Sequence, residues 1–262
     1  HGVECRYYDL DPERDWQIDL DSVRARADKN TTAILVCNPS NPCGTVFTPE
    51  HLAEVASIAV DLRLPIIADE VYHGMAFGSV PFTALAGIEQ RGPVISVNAL
   101  SKRWLAPGWR VGWIAVHDVD DILTRAEVPA TLLKLCQVSL GPTAVVSAAV
   151  PRILAETPEY FLTDVLAALK ASAELCQRRC SAIPGLEIAS DPQGAMYFMM
   201  RIRPEVLEGV EDDVDFTRQL LSEESIAVLP GQCFHGLKNY VRIVFAAPSS
   251  ALEEAWDRIE AF

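Results

Sequence analysis

Thr32-Ala33-Ile34-Leu35-Val36-Cys37-Asn38-Pro39-Ser40-Asn41-Pro42-Cys43-Gly44 holds the pattern that decides the fold: a short apolar run cut off by two prolines and a glycine. A run that stays apolar instead of alternating reads as a strand buried on both faces. Thr48-Pro49-Glu50 then opens a helix, with a capping hydroxyl, proline at the first helical position and an acid in the first turn. Leu52, Val55, Ala56, Ala59 and Val60 make its apolar stripe. Pro65 to Asp69 repeats the buried-strand pattern, and Pro93 to Asn98 and Val111 to Val116 repeat it again. Strand, crossover helix and strand in that order predict an α/β unit: a mostly parallel sheet with helices on both faces, in three layers.

From Thr157 the character changes. Thr157-Pro158-Glu159 opens a long helix whose Leu162, Leu166, Leu169, Ala173, Cys176 and Cys180 recur at helical spacing up to the stop at Ile183-Pro184-Gly185. Strands are expected at Leu186 to Ala189, Ala195 to Arg201, Ile226 to Leu229 and Tyr240 to Phe245, with helices over Asp212 to Glu223 and from Ser249. The division that follows is a large domain over residues 1–156, then an interdomain helix and a smaller C-terminal α+β domain over 157–262. No Ser/Gly tether separates them, so a shared interface is expected.

Of 262 residues, 50% are hydrophobic, enough for a sizeable core. The 22 Lys and Arg against 36 Asp and Glu give a formal charge of -14, which argues against a nucleic-acid partner. No apolar run reaches the ~18 residues of a membrane span, and no basic-then-apolar leader opens the chain. A soluble, cytoplasmic protein without a membrane partner is the expectation. Seven cysteines in apolar segments such as Ile34 to Cys37 and Leu132 to Cys136 read as small buried hydrophobes rather than a disulfide framework. The chain starts at His1 without an initiator Met and runs into strand-like Cys5-Arg6-Tyr7-Tyr8, as if from the middle of a protein.

Three clusters share one placement, at the C-terminal ends of the expected strands, where open α/β sheets bind ligands. Asn38 to Gly44 is a rigid loop with two Asn-Pro bonds that are candidates for the cis form. It either holds the Asn41 amide over a ligand or is a turn with local backbone bonds. Asp69, ending an apolar strand ahead of Glu70-Val71-Tyr72, is either a helix cap or the partner of a buried cation. Tyr72 either presents its hydroxyl to the same pocket or packs as an ordinary aromatic. The third cluster, Ser101-Lys102-Arg103-Trp104-Leu105-Ala106-Pro107-Gly108-Trp109-Arg110, follows the strand ending at Asn98. Lys102 there suits a partly desolvated amine for imine formation, and Arg110 a phosphate-binding fork. Solvated surface charges are the alternative for either alone, but five such residues at one sheet edge point to a single cofactor pocket.

Taken together, Asn-Pro-x-Asn-Pro-x-Gly, Asp-Glu-x-Tyr, Ser-Lys with Pro-Gly-Trp-Arg-x-Gly-Trp, Gly194-Ala195-Met196-Tyr197 and Asn239-Tyr240-Val241-Arg242-Ile243 resemble the fold-type-I pyridoxal-phosphate aminotransferases. Within that family the motifs look most like the enzymes acting on tyrosine. The resemblance implies pyridoxal 5'-phosphate as cofactor, an aromatic amino acid and a 2-oxo acid as substrates, and a homodimer. Lys102 would carry the cofactor and shuttle the α-proton. Asp69 would pair with the ring nitrogen, and Asn41 and Tyr72 with the phenolic oxygen. Arg110 would hold the phosphate, and Arg242 the substrate carboxylate, near Asn41. A carbon-sulfur lyase of the same fold, or a catalytically silent piece, is the competing expectation. Ala99 stands where many relatives carry a phosphate-binding serine. The family's Gly- or Ser-rich phosphate loop, its ring-stacking aromatic and a tyrosine from the partner subunit would belong ahead of His1.

Lesser features have plainer readings. Cys176 and Cys180, one turn apart, suit core packing rather than a metal, and no metal site is expected. His51 with Glu54 reads as an exposed helix face. His73 adjoins the pocket motif, Pro230 to Phe234 resembles a loop near the family's substrate mouth, and Glu208 to Asp215 reads as a solvated loop and helix start.

Overall fold

A computed structural model describes residues 2–88 and 92–262, so His1 lies outside the described residues. Two short strands, β1 (Leu10–Asp11) and β2 (Gln17–Ile18), pair antiparallel. Helix α1 (Leu20–Arg26) follows, capped by the Asp19 carboxylate, which accepts from the N–H groups of Asp21 and Ser22. Next come β3 (Ile34–Cys37), α2 (Pro49–Asp61), β4 (Ile66–Asp69), β5 (Val94–Ala99) and β6 (Gly112–His117). The helices α3 (Ile122–Arg125), α4 (Val128–Val138), α5 (Ala144–Glu156) and α6 (Glu159–Ala182) lead into β7 (Leu186–Ile188) and β8 (Tyr197–Ile202). The chain ends with α7 (Asp213–Glu224), β9 (Leu229–Pro230), β10 (Tyr240–Val244) and α8 (Ser249–Ala261).

The first sheet has the order β3-β4-β5-β6. Its β3/β4 and β4/β5 pairings are parallel and β5/β6 is antiparallel, so it is mixed but mostly parallel. The Thr48 hydroxyl caps α2 by accepting from the His51 N–H at 3.1 Å. From there Leu52, Val55, Ala56, Ile58 and Ala59 of α2 pack with Val23 of α1 onto Ile34, Val36, Ile66, Ala68 and Val94, the side chains of one sheet face, while Val60, expected in the stripe, is exposed because it turns away from the sheet.

The other face differs from the expectation. Strands buried on both sides were anticipated, yet Leu35 is 55% exposed and Ile114 42% exposed. The physical reason is that, among the described residues, α4 and α5 do not close over this face and bury none of their residues. Helix α4 stands off this face across an open cleft. The strand-like Cys5 to Tyr8 is irregular, tied to β3 only where the Tyr8 hydroxyl donates to the Leu35 carbonyl at 2.9 Å.

The second sheet, β7-β8-β10-β9, is antiparallel throughout. Helix α6 buries Leu169, Ala173, Leu175, Cys176 and Cys180 in the core that also takes in Phe198, Phe216, Phe245 and Trp256. The strand expected at Ile226 to Leu229 shrinks to Leu229–Pro230, because only Leu229 and Pro230 pair with β10. Several bonds join the two sheets. Gly44 accepts at its carbonyl from the N–H groups of Gln193 and Gly194, both at 2.9 Å, and the Trp16 indole donates to the Ala189 carbonyl at 2.6 Å. Tyr72 and Met75, from the segment after β4, sit in the second core.

Three smaller expectations are corrected. His51 is 4% exposed rather than on an open helix face, because its Nε2 accepts the Ile18 N–H at 3.0 Å. Asp213 is fully buried rather than solvated, since its carboxylate accepts from the Gln232 N–H, the Gln232 side chain and the Asn239 N–H, each at 2.9 Å. The cysteines are all free, but Cys5, Cys136 and Cys233 are exposed, the last two because their segments face solvent instead of a core. Among the described residues no helix is long and apolar enough to cross a membrane, and no three His, Cys, Asp or Glu groups gather to hold a metal ion.

Candidate active site

The parallel register puts Cys37 beside Asp69 and Asp69 beside Val97, so the C-terminal ends of β3, β4 and β5 open at one edge. Each cluster anticipated from the sequence emerges there. Both Asn38-Pro39 and Asn41-Pro42 are cis, and the Asn38 side chain accepts from the Phe47 N–H at 3.0 Å, closing the loop on itself. That closure leaves Asn41 exposed at the tip.

Five side chains form a connected path across the two sheets. The Lys102 ammonium lies 5.6 Å from the centre of the Tyr72 ring. It makes no hydrogen bond or ion pair among the described residues. The Tyr72 hydroxyl pairs with the Tyr197 hydroxyl at 3.0 Å, their rings edge to face. The Arg242 guanidinium sits 4.4 Å over the Tyr197 ring and 5.2 Å over Phe234. Its Nη1 donates to the Asn41 Oδ1 at 2.8 Å, while its Nε is buried without a partner among the described residues. Such a buried, unsatisfied donor on a cation is costly, and an arriving carboxylate is the group that would satisfy it.

Asp69 acts locally as a turn cap, its Oδ1 accepting from the Val71 N–H at 3.3 Å. The sequence left open a cap or a buried-cation partner; among the described residues only the cap is present. Burial, with the Asp69 charge adding to it, pushes the Cys37 thiol up to about 12. Burial and the bond to Tyr197 hold the Tyr72 phenol far above its ordinary value, so it stays protonated. His73 stacks on Phe82, and burial lowers its tendency to protonate.

Arg110 stands apart from this path. Its backbone is left-handed at φ 52°, and its guanidinium donates to the Pro107 carbonyl at 2.9 Å. It borders, with Ala99, Ser101 and Val97, a cleft of about 550 Å³ between the open sheet face and α4. That volume falls in the range of small-molecule sites. Val71 lines the same cleft, next in sequence to Tyr72, but Lys102, Asp69, Asn41 and Arg242 do not. The structure therefore joins Lys102, Tyr72, Asn41 and Arg242 and leaves Arg110 on an adjacent wall.

Tyr197 and Phe234 are the members that sequence reasoning passed over as functional. Both stand in motifs it had singled out, Gly194 to Tyr197 and Pro230 to Phe234. Only the packing reveals that they form the platform of Arg242.

The two-sheet architecture, a mostly parallel sheet followed by an antiparallel one, is that of the fold-type-I aminotransferases. Residues 1–259 match the family model of aminotransferase class I and II, and the chain belongs to that family. It is 40% identical over 262 residues to nicotianamine aminotransferase 1 of Oryza sativa subsp. japonica, covering 100% of this chain and 53% of the relative. It is 42% identical over 261 residues to the tyrosine aminotransferase of Mus musculus, covering 100% of this chain and 57% of that protein. The chain spans about half the length of these curated relatives. Among solved structures, the tyrosine aminotransferase of Leishmania infantum superposes with a TM-score of 0.92 at 31% identity, covering 98% of this chain and 62% of the other. The alanine aminotransferase of Pyrococcus furiosus superposes at 0.91 with 30% identity, covering 100% and 65%.

Proposed function

We propose that this chain carries the lysine, ring-binding and carboxylate-binding residues of a pyridoxal-phosphate-dependent aminotransferase that moves an amino group from an aromatic L-amino acid, tyrosine foremost, to a 2-oxo acid. The single observation that carries this is the path from Lys102 through Tyr72 and Tyr197 to Arg242 and Asn41. The unpaired Lys102 amine and the orphaned Arg242 Nε fit such a cofactor and its amino-acid substrate, with Arg110 on the wall of an adjacent cleft.

When bound, pyridoxal phosphate supplies an aldehyde for a lysine amine and a ring that accepts electrons. The roles that follow are those of this chain's own side chains. Lys102 would hold the cofactor through its amine and would move the proton at the substrate α-carbon. Asp69 holds a proton on the ring nitrogen, and Tyr72 and Asn41 donate to the phenolic oxygen. Arg110 holds the phosphate, and Arg242 orients the substrate through its carboxylate. The division at residues 156 and 157, with a cofactor-binding large domain before it and an interdomain helix and small domain after it, and a homodimer belong to the same proposal.

Tyrosine is favoured by the Lys102 and Asn-Pro motifs and by the relatives named for it. Nicotianamine as donor is a second reading, supported by relatives named for that activity at similar identity. The test is an absorption spectrum of the chain mixed with pyridoxal phosphate, then borohydride reduction, peptide mapping, and assays with tyrosine, phenylalanine and nicotianamine against a 2-oxo acid. A visible band with the label on Lys102 and oxo-acid product from an aromatic donor is the expected result. Thiol or ammonia release without an acceptor would turn the reading to a lyase, and no label on Lys102 to a catalytically silent piece.

A further inference from the structure

The hydroxyl-to-hydroxyl bond between Tyr72 and Tyr197, and the stacking of Arg242 on Tyr197, have no assigned part in the roles above. Arg242 on β10 faces Met199 on β8, and Tyr197 lies two residues along the same strand, so both side chains belong to one sheet face. There the Tyr197 ring supports the guanidinium at 4.4 Å, with Phe234 at 5.2 Å as a second aromatic neighbour. Two rings and the Asn41 carbonyl oxygen restrict the guanidinium, while its Nε stays unpaired.

At its other end the same tyrosine touches the opposite unit. Its hydroxyl lies 3.0 Å from that of Tyr72, the rings crossing at 86°, and both residues are buried. Among the described residues neither hydroxyl has another hydrogen-bond partner. A phenol has one proton and two acceptor positions. If Tyr197 donates, the Tyr72 proton is left for a further acceptor, and a phenol that accepts a hydrogen bond donates more strongly.

We propose that Tyr197 is a positioning residue that couples the carboxylate anchor Arg242 to the Tyr72 phenol beside Lys102, through its ring on one side and its hydroxyl on the other. This rests on the functional reading above. The ring sets the orientation of Arg242 and so the affinity for a carboxylate. The hydroxyl sets how strongly Tyr72 donates to the cofactor's phenolic oxygen, and so how readily the nitrogen joining Lys102 to the cofactor gives up its proton. The charged and titratable groups around the pair are Lys102, Cys37, Asp69 and, across the Tyr197 ring, Arg242.

The two functions separate by substitution. Tyr197→Phe keeps the ring and removes the hydroxyl; Tyr197→Leu removes both. The chain loaded with pyridoxal phosphate is titrated with pH by its visible band, for the wild type, Tyr197→Phe, Tyr72→Phe and the double variant. The midpoint is expected to rise by about 0.5 to 1 unit in Tyr197→Phe, in the same direction as in Tyr72→Phe, with no further rise in the double variant. Binding of 3-phenylpropionate, a carboxylate without an amino group, is expected to stay within twofold in Tyr197→Phe and to weaken roughly tenfold in Tyr197→Leu. An unmoved midpoint in Tyr197→Phe, or additive shifts in the double variant, would overturn the coupling while the functional reading stands. A wild-type chain that forms no band on Lys102 would overturn the functional reading and this inference with it.

Discussion

Arg242 is a cation in the middle of an otherwise apolar strand, with a ring on two sides and one buried N–H left over. Lysine in its place would lose the planar fork and the stacking while keeping the charge. Arg242→Lys is therefore expected to raise the KM for the amino acid at least roughly tenfold with a smaller change in kcat, measured by steady-state assays with tyrosine. At this scale the sequence was informative about polar residues beside apolar strands, because a strand end leaves few physical uses for Asp69 or the nearby Lys102, and an apolar strand few for Arg242. Tyr197 was not legible in that way. A tyrosine in an apolar strand reads as core, and only the fold reveals what its ring and its hydroxyl meet.

Among the elements, the start of α2 was anticipated, because Thr48, Pro49 and Glu50 carry the start signal locally, and Leu52, Val55, Ala56 and Ala59 of its expected stripe are buried, whereas Val60 is not. The side of it that holds His51 was misjudged. A histidine beside a glutamate resembles a solvated pair, whereas here Nε2 accepts the Ile18 N–H and thereby fastens α2 to β2. Burial lowers the pKa of His51 below its ordinary 6.5, and the bond to Ile18 requires the neutral ring. The sign follows: above pH 6.5 the ring is neutral folded or unfolded and this contribution to stability is fully present. As pH falls below 6.5 toward the depressed folded value, the unfolded chain takes the proton first and stability is lost. His51→Gln is expected to flatten that acid-side slope, read from urea midpoints between pH 7 and 5. His51→Ala should cost about 1 to 3 kcal/mol at pH 7 by leaving the Ile18 N–H unpaired. The short β9 and the irregular Cys5 to Tyr8 failed as strand expectations for a related reason: strand patterns need a partner edge, and the partner is not written in the segment.

At the scale of the whole molecule, the Asn-Pro loop does more than present Asn41. Gly44 closes it at φ +71° and lies so near the Tyr197 and Gly194 carbonyls that any Cβ there would meet the Tyr197 oxygen. Its own carbonyl accepts from Gln193 and Gly194, so this one position ties the first sheet to the second. Gly44→Ala is expected to destabilise the chain by about 2 to 4 kcal/mol through left-handed strain and the clash with β8. Urea unfolding measures that loss, and a weaker Lys102 band in the presence of pyridoxal phosphate would accompany it.

The sequence by itself determined the α/β class and several elements: the strands of the first sheet, the capped start of α2, the long α6 and an α+β C-terminal part follow from local periodicity, caps and chain breakers. It also placed Asn41, Asp69, Tyr72, Lys102 and Arg110 at strand ends. Only the tertiary structure decided that one sheet face is open, that Arg110 lines a neighbouring wall, that Asp213 and His51 are buried, and that Tyr197 joins Tyr72 to Arg242. The physical reason is range. Helix and strand signals act over a few residues, whereas burial and hydrogen-bond partners depend on which surface distant segments bring opposite, as Arg242 meets Asn41 across 201 positions of chain.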